Sequence, residues 1–318
     1  MSRSRWIWAW SVCALLLGAI TVSVFWGLGS EPLDRQILLE LRIPRVLLAV
    51  GVGAALGVAG LIFQTVFLNP LCEPYVLGTS SGAALGAVLA SSWGGSWILG
   101  GVVLASAAGS ALFSLLLISV SRLRRLDRAQ ILLFGVMLSF VGSSAVSVWM
   151  AISDPQGIQA AISWLLGDLS RADKLGSSVI LILSLIVAQI LWRSSRELDA
   201  QLLGERVAYS LGIDVTRLRN RSMIWASLLV GLAVSTAGMI GFVGLLVPHV
   251  VRRQLQGGHR VWIPAAAICG ALVMVMSDFF ARTLLNPIEI PAGVITVLVG
   301  APALGWLILK DRSDRASL

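Results

Sequence analysis

The sequence predicts an all-α integral membrane protein of about ten transmembrane helices, and three observations carry that prediction. Of 318 residues, 57% are hydrophobic and only 13% are charged, where soluble domains carry about 25% charged residues. Mean hydropathy is +0.88. The apolar residues fall into ten runs joined by short polar segments. A chain this apolar takes lipid as its solvent. The expected organisation is a single transmembrane domain over residues 1–318, all spans and short loops, with no second soluble domain.

The ten runs, in order, are 6–27, 44–67, 76–91, 97–121, 129–152, 175–192, 223–239, 241–252, 262–284 and 291–310. At 1.5 Å per residue, about 20 residues cross the roughly 30 Å hydrocarbon core. The first run follows Arg3 and Arg5 and mimics a signal peptide. It is long and no A-x-A site follows it, so it reads as an uncleaved helix. Runs 76–91 and 241–252 are too short to cross alone and are expected to lie half-buried among their neighbours.

Orientation comes from the basic residues. With ten spans and both termini on the cytoplasmic side, three of every four of the 24 lysines and arginines fall in inner segments. That bias follows the positive-inside rule. It also accounts for the net charge of +8 without nucleic acid, for which no basic domain is present. Small residues crowd the spans. Gly51, Gly53, Gly57 and Gly60 do not share one helix face, so the second span is expected to pack on several sides.

The spans hold few ionisable groups. Asp278 lies well inside the ninth run, with Arg282 four residues on and on the same face, as in an i,i+4 ion pair. Proton-driven carriers place acids or histidines within the membrane, and no such arrangement occurs here. His249 and His259 fall at helix ends without Cys, Asp or Glu at metal-ligand spacing. Cys13, Cys72 and Cys269 are single and far apart, as buried small apolar residues are. Neither Lys174 nor Lys310 sits in a G-x-x-x-x-G-K-[ST] phosphate loop. No catalytic residues, metal site or bound cofactor are expected. Active transport would therefore draw on a separate nucleotide-hydrolysing subunit.

The longest polar stretch, 192–220, reads W-R-S-S-R-E-L-D-A-Q-L-L-G-E-R-V-A-Y-S-L-G-I-D-V-T-R-L-R-N. Within it, Gly204 to Leu211 reads as a short helix stopped by Gly212. Its charges lie on one side, and Val207, Ala208 and Leu211 on the other. Such a helix suits a groove in another protein. The coupling loop, about 193–221, is expected on the cytoplasmic side.

Several motifs resemble those of the iron-chelate (ferric siderophore and haem) and cobalamin importer permeases of ABC transporters. They are R-I-P-R at 42–45, G-x-x-F-Q-T-V-F-L-N-P-L-C-E-P-Y-V-L-G at 60–78, W-L-L-G-D-L-S at 164–170, L-G-E-R-V-A-Y-S-L-G-I at 203–213, G-x-I-G-F-V-G-L-L-V-P-H-V-V-R at 238–252 and P-A-G-V-I-T-V-L-V-G-A-P at 291–302. The resemblance runs in order over nearly the whole chain, and the motifs together are specific to that family. It implies the type II importer permease fold in a bacterial inner membrane. The implied partners are a second permease copy (homodimer or paired paralogue), two ATP-binding cassette subunits holding ATP and magnesium, and a periplasmic or lipoprotein substrate-binding protein. The cargo is a ferric siderophore, haem or cobalamin.

The resemblance also implies roles. Gly204, Glu205, Arg206, Val207, Ala208, Leu211 and Gly212 match the helix that couples to the ATPase. Arg42, Arg45 and Arg282 match outer arginines that receive acidic residues of the binding protein; interfacial snorkelling is the other reading of Arg42 and Arg45. Asn69, Pro70 and Leu71 match the loop that narrows the channel. Ser139, Ser143 and Ser147, with Ser144, make the channel-lining fifth span partly polar; helix packing is the alternative. The other gate loop, R-R-L-D-R-A-Q at 124–130, lacks the small hydroxyl pair of some cobalamin importers. A cobalamin-specific permease, a membrane receptor or signalling subunit, and an ion-coupled carrier remain alternatives.

Overall fold

The structure is a computed structural model that describes residues 3–26, 32–92, 101–124 and 126–316. Its helices are α1 (Arg3–Phe25), α2 (Pro32–Ile37), α3 (Ile43–Val66), α4 (Thr79–Ser92), α5 (Gly101–Arg124), α6 (Arg128–Ile152), α7 (Pro155–Leu165), α8 (Lys174–Arg193), α9 (Ser195–Leu202), α10 (Glu205–Ser210), α11 (Val215–Ala237), α12 (Val243–Gln254), α13 (His259–Thr283) and α14 (Ala292–Ala316). No strand occurs among the described residues. Each of the ten apolar runs has its helix. Residues 27 and 97–100 of the first and fourth runs lie outside the described residues.

Two boundaries differ from expectation. The second span does not begin near Pro44: a π-helical turn, Leu38–Arg42, joins α2 to α3 and carries the helical run back to residue 32. The sixth run is preceded by an additional helix, α7, whose length of 11 residues is about half of what a crossing needs.

α3 is the hub. It packs on α13, α11, α8 and α12, and nearly every residue from 44 to 66 is buried. Its glycines explain how so many helices fit around one. A Cβ on Gly53 would stand 2.3 Å from the Gly270 carbonyl oxygen of α13, and one on Gly60 1.9 Å from that of Gly244 in α12. Gly51 faces the α8 backbone, with Leu181 N at 3.0 Å from the same construction. These faces point in different directions, as the sequence spacing predicts. Between lipid-soluble helices, close backbone approach supplies the packing energy that water would otherwise drive. α4 and α5 repeat the device through Gly82, Gly86 and Gly109.

The short helices α4 and α12 have 14 and 12 residues, about 21 and 18 Å of rise. Non-helical backbone therefore continues each of them within the bundle, where its polar groups need partners. The chain supplies them from itself. The Tyr75 hydroxyl oxygen accepts from Ile240 N–H at 2.8 Å, and Glu73 Oε1 accepts from Phe242 N–H at 2.9 Å. Gln64, buried in α3, donates to the carbonyls of Gly244 and Leu245 at 3.4 and 3.3 Å.

Candidate functional site

One end of the bundle carries α9, α10, the start of α6 and α11, and the loop after α3. α10 spans Glu205–Ser210 between Gly204 at φ +105° and Gly212 at φ +78°. Both conformations favour glycine strongly, so the glycines set where the element starts and turns. The expected apolar face divides in two. Val207 and Leu211 are exposed, 43% and 62%, together with Leu203 at 67% and Tyr209 at 78%. Ala208 is the exception to the expectation: it is fully buried, and its carbonyl accepts from Ile213 N–H at 3.1 Å. Ala208 is thus the anchor of the element and not part of its outward face, because a six-residue helix on a larger body must give one side to that body.

The rest of the segment is tied down by polar contacts. Arg221 Nη2 meets Glu197 at 3.0 Å and Ser194 Oγ at 2.7 Å. Asp199 Oδ1 accepts from the backbone N–H of His259 at 2.8 Å and pairs with its Nδ1 at 2.7 Å. The other ring nitrogen of His259 lies 2.8 Å from Thr65 Oγ1, which also accepts from Arg252 Nη2 at 2.9 Å. The fully buried His259 so links α9 to the end of α3. Sequence reasoning placed His259 at a helix end, where it is, but gave no sign of these partners. Burial holds Asp199 up, yet its two hydrogen bonds from His259 outweigh that and leave its carboxyl below the usual range. Glu205 of α10 pairs with Arg128 of α6 at 2.9 Å, joining the coupling segment directly to the 124–130 loop region. Arg206 is exposed.

The loop after α3 is ordered by its own backbone. Asn69 Oδ1 accepts from Leu71 N–H at 3.0 Å, and Asn69 N–H donates to Gln64 O at 3.1 Å. Leu68 takes φ +47°. Pro70 and Leu71 stand exposed beside the half-buried Asn69. On α6, the hydroxyls bond back along the helix, Ser139 to Gly135 O at 3.1 Å and Ser147 to Ser143 O at 3.0 Å. Ser143, Ser144 and Ser147 lie on an open face shared with Met137, Phe140, Val141 and Val148. Ser139 is half-buried and also reaches the Tyr75 carbonyl at 3.4 Å, so it turns toward the chain's own core more than toward that face.

The three arginines expected to dock a binding protein gather at the opposite end of the bundle, and each is engaged with its own chain. Arg45, with a side chain 11% exposed, pairs through Nε with Asp278 Oδ1 at 2.7 Å and through Nη1 with Glu289 Oε2 at 2.8 Å. Arg282 pairs with Asp278 Oδ2 at 3.2 Å and donates to Ser23 Oγ at 2.6 Å. Arg42 donates to the Val24 carbonyl at 3.0 Å. The expected Asp278–Arg282 pair is present, but it is half of a larger cluster centred on Arg45. At the same end, the 164–170 motif meets two others. A Cβ on Gly238 would lie 2.1 Å from Trp164 O, and one on Gly293 2.3 Å from Leu166 O. Sequence motifs far apart in the chain thus form one joint.

No group of three His, Cys, Asp or Glu suited to a metal occurs among the described residues.

The sequence profile of the FecCD transport family matches residues 6–310. The haemin transport system permease protein HmuU of Yersinia pestis is 36% identical over 308 residues, covering 94% of this chain and 92% of that one. The vitamin B12 import system permease protein BtuC of Vibrio cholerae is 37% identical, covering 96% and 92%. A solved structure described as an inward-facing conformation of a metal-chelate type ABC transporter superposes with a TM-score of 0.88 at 29% identity, covering 95% of this chain and 98% of that one.

Proposed function

We propose a working cycle for this chain from one premise: it belongs to the FecCD transport family, and it is the multi-pass membrane permease of an ABC importer for an iron chelate, haem or cobalamin. In this reading, α10 docks in a groove of an ATP-binding cassette subunit that holds ATP and magnesium. Two permease copies, each with one such subunit, enclose the passage between their open α6 faces in the bacterial inner membrane. A substrate-binding protein delivers the chelate at the end that carries Arg42 and Arg282, while Arg45 beneath them holds Asp278.

One observation carries the coupling assignment. Leu203, Val207, Tyr209 and Leu211 are exposed on a short element rich in charge, at the end of the bundle and held by Glu205–Arg128 and Asp199–His259. Apolar side chains held outward on a braced polar segment suit a protein groove. Movement there reaches α3, α6 and α13 through the named contacts. The α6 face, apolar with the Ser147 hydroxyl already bonded to its own helix, suits a bulky ligand that must pass without sticking.

The test is Val207→Asp with Leu211→Asp. Burying two carboxylates in an apolar contact costs several kcal/mol. The expected result is a folded permease that no longer retains its ATPase subunits on purification. Retention and transport-coupled hydrolysis equal to the parent would refute the assignment. Uptake by proteoliposomes offered haem, ferric siderophores and cobalamin identifies the cargo, and ATP dependence separates an importer from a receptor or an ion-coupled carrier.

A further inference from the structure

A cavity of about 780 Å³ opens where the ends of α5 and α6 meet α10 and α11. Arg122, Arg128 and Arg219 line it, with Asp127 and Glu205. Both carboxylates are already engaged. Asp127 caps α6 by accepting from Gln130 N–H at 2.8 Å, and Glu205 pairs with Arg128 at 2.9 Å. Arg122 and Arg219 have no carboxylate within ion-pair distance among the described residues.

The wall holds further polar atoms without partners. Ser121 is 2% exposed and its hydroxyl has no hydrogen-bond partner among the described residues; the same is true of Asn220 Oδ1, in a residue 4% exposed, and of Arg219 Nε. Buried polar groups are ordinarily paired, and an unpaired one is costly. None of these three atoms is open to solvent, so they lie behind the wall's surface, and what the cavity presents to a ligand is the guanidiniums of Arg122, Arg128 and Arg219, with Glu205 and Asp127 close enough to act on Arg219.

We propose that this cavity binds a phosphate-bearing anion. Guanidinium forks match phosphate oxygens geometrically, and their hydrogen bonds to it are charge-assisted. Two sources share this chemistry. One is the headgroup of an anionic phospholipid of the adjoining leaflet, which basic pockets between membrane helices recognise. The other is a free phosphate compound in solution. The bound anion would sit beside Arg128 and compete with Glu205 for it, at the joint between α10 and α6. The site does not depend on which chelate is carried.

The experiment uses the purified full-length permease in detergent. Arginines are labelled with phenylglyoxal and read by peptide mass spectrometry, with added dihexanoylphosphatidylglycerol, dihexanoylphosphatidylcholine or inorganic phosphate at matched ionic strength. Saturable protection of Arg122 and Arg219 by the glycerol lipid but not by phosphate assigns the lipid source. Protection by inorganic phosphate assigns the free source. Either upholds the site, and the choline lipid should protect neither residue. Arg219→Gln should weaken protection of Arg122 about tenfold, the loss expected for one charge-assisted hydrogen bond. If neither anion protects the two arginines in the parent protein, the proposal is overturned, whatever the fate of the variant. Equal protection of Arg122 in a folded Arg219→Gln protein overturns it as well.

Discussion

The two ends of the bundle treat charge in opposite ways. At the end with Arg45, guanidiniums and carboxylates close on one another: Asp278, its side chain 1% exposed, lies between Arg45 and Arg282. At the end with α10, apolar side chains point outward, and buried polar atoms of Ser121, Arg219 and Asn220 have no hydrogen-bond partner among the described residues. The first end makes its ion pairs within one chain, tying α1, α3, α13 and the segment before α14. The second holds Leu203, Val207, Tyr209 and Leu211 outward. Ion pairs buried between helices fix how those helices meet, and apolar side chains held outward suit contact with another protein.

The sharpest way to break this comparison is at Asp278. Asp278→Leu leaves Arg45 and Arg282 without their shared carboxylate in a buried site, and stranding one partner of such a pair costs about 3–5 kcal/mol. We expect a large fall in melting temperature or loss of monodisperse protein. A variant that melts with the parent would show the cluster to be dispensable.

Next come two glycines. Gly60→Ala forces a methyl to within 1.9 Å of the Gly244 carbonyl oxygen unless α3 and α12 separate; overpacking of this kind costs about 1–3 kcal/mol and should lower the melting temperature of the whole protein. Gly204→Ala meets nothing within 4 Å. Its cost is backbone strain at φ +105°, and the open turn can relax locally. We expect the Gly204→Ala melting curve to follow the parent's while ATPase retention weakens. If Gly204→Ala destabilises the fold as Gly60→Ala does, the end bearing α10 is part of the core and the contrast fails.

The smallest effect is expected at Glu205→Gln. The Glu205 side chain is 55% exposed, so the pair with Arg128 contributes about 0.2–1 kcal/mol. Melting at low and high salt should show a small difference that salt erases. A large, salt-independent loss would mean that the strut is part of the rigid framework and not a movable joint.

Much of the fold was legible in the sequence because helix period and composition act over a few residues. The ten apolar runs, the several-sided packing implied by Gly51, Gly53, Gly57 and Gly60, and the short α4 and α12 were all visible there. So was the exposed pair Val207 and Leu211, which are one turn apart. The π-helical turn before α3 was not. Nothing in L-L-E-L-R departs from an ordinary helical pattern, and none of its five residues is buried. α7 was missed because its apolar positions cover one face only, and a stripe is a weaker signal than a continuous run.

By itself the sequence determined that this chain spans a membrane many times and where most of its helices run, since hydropathy, glycine spacing and charge are properties of neighbours along the chain. Only the tertiary structure decided that Arg45 meets Asp278 across 233 positions. It also decided that Glu73 and Tyr75 close the backbone at Phe242 and Ile240, and that Ala208 turns inward while Val207 turns out. Those pairings depend on how whole helices cross. In a membrane, close approach and the need to satisfy each buried polar group select the crossing, not any local pattern.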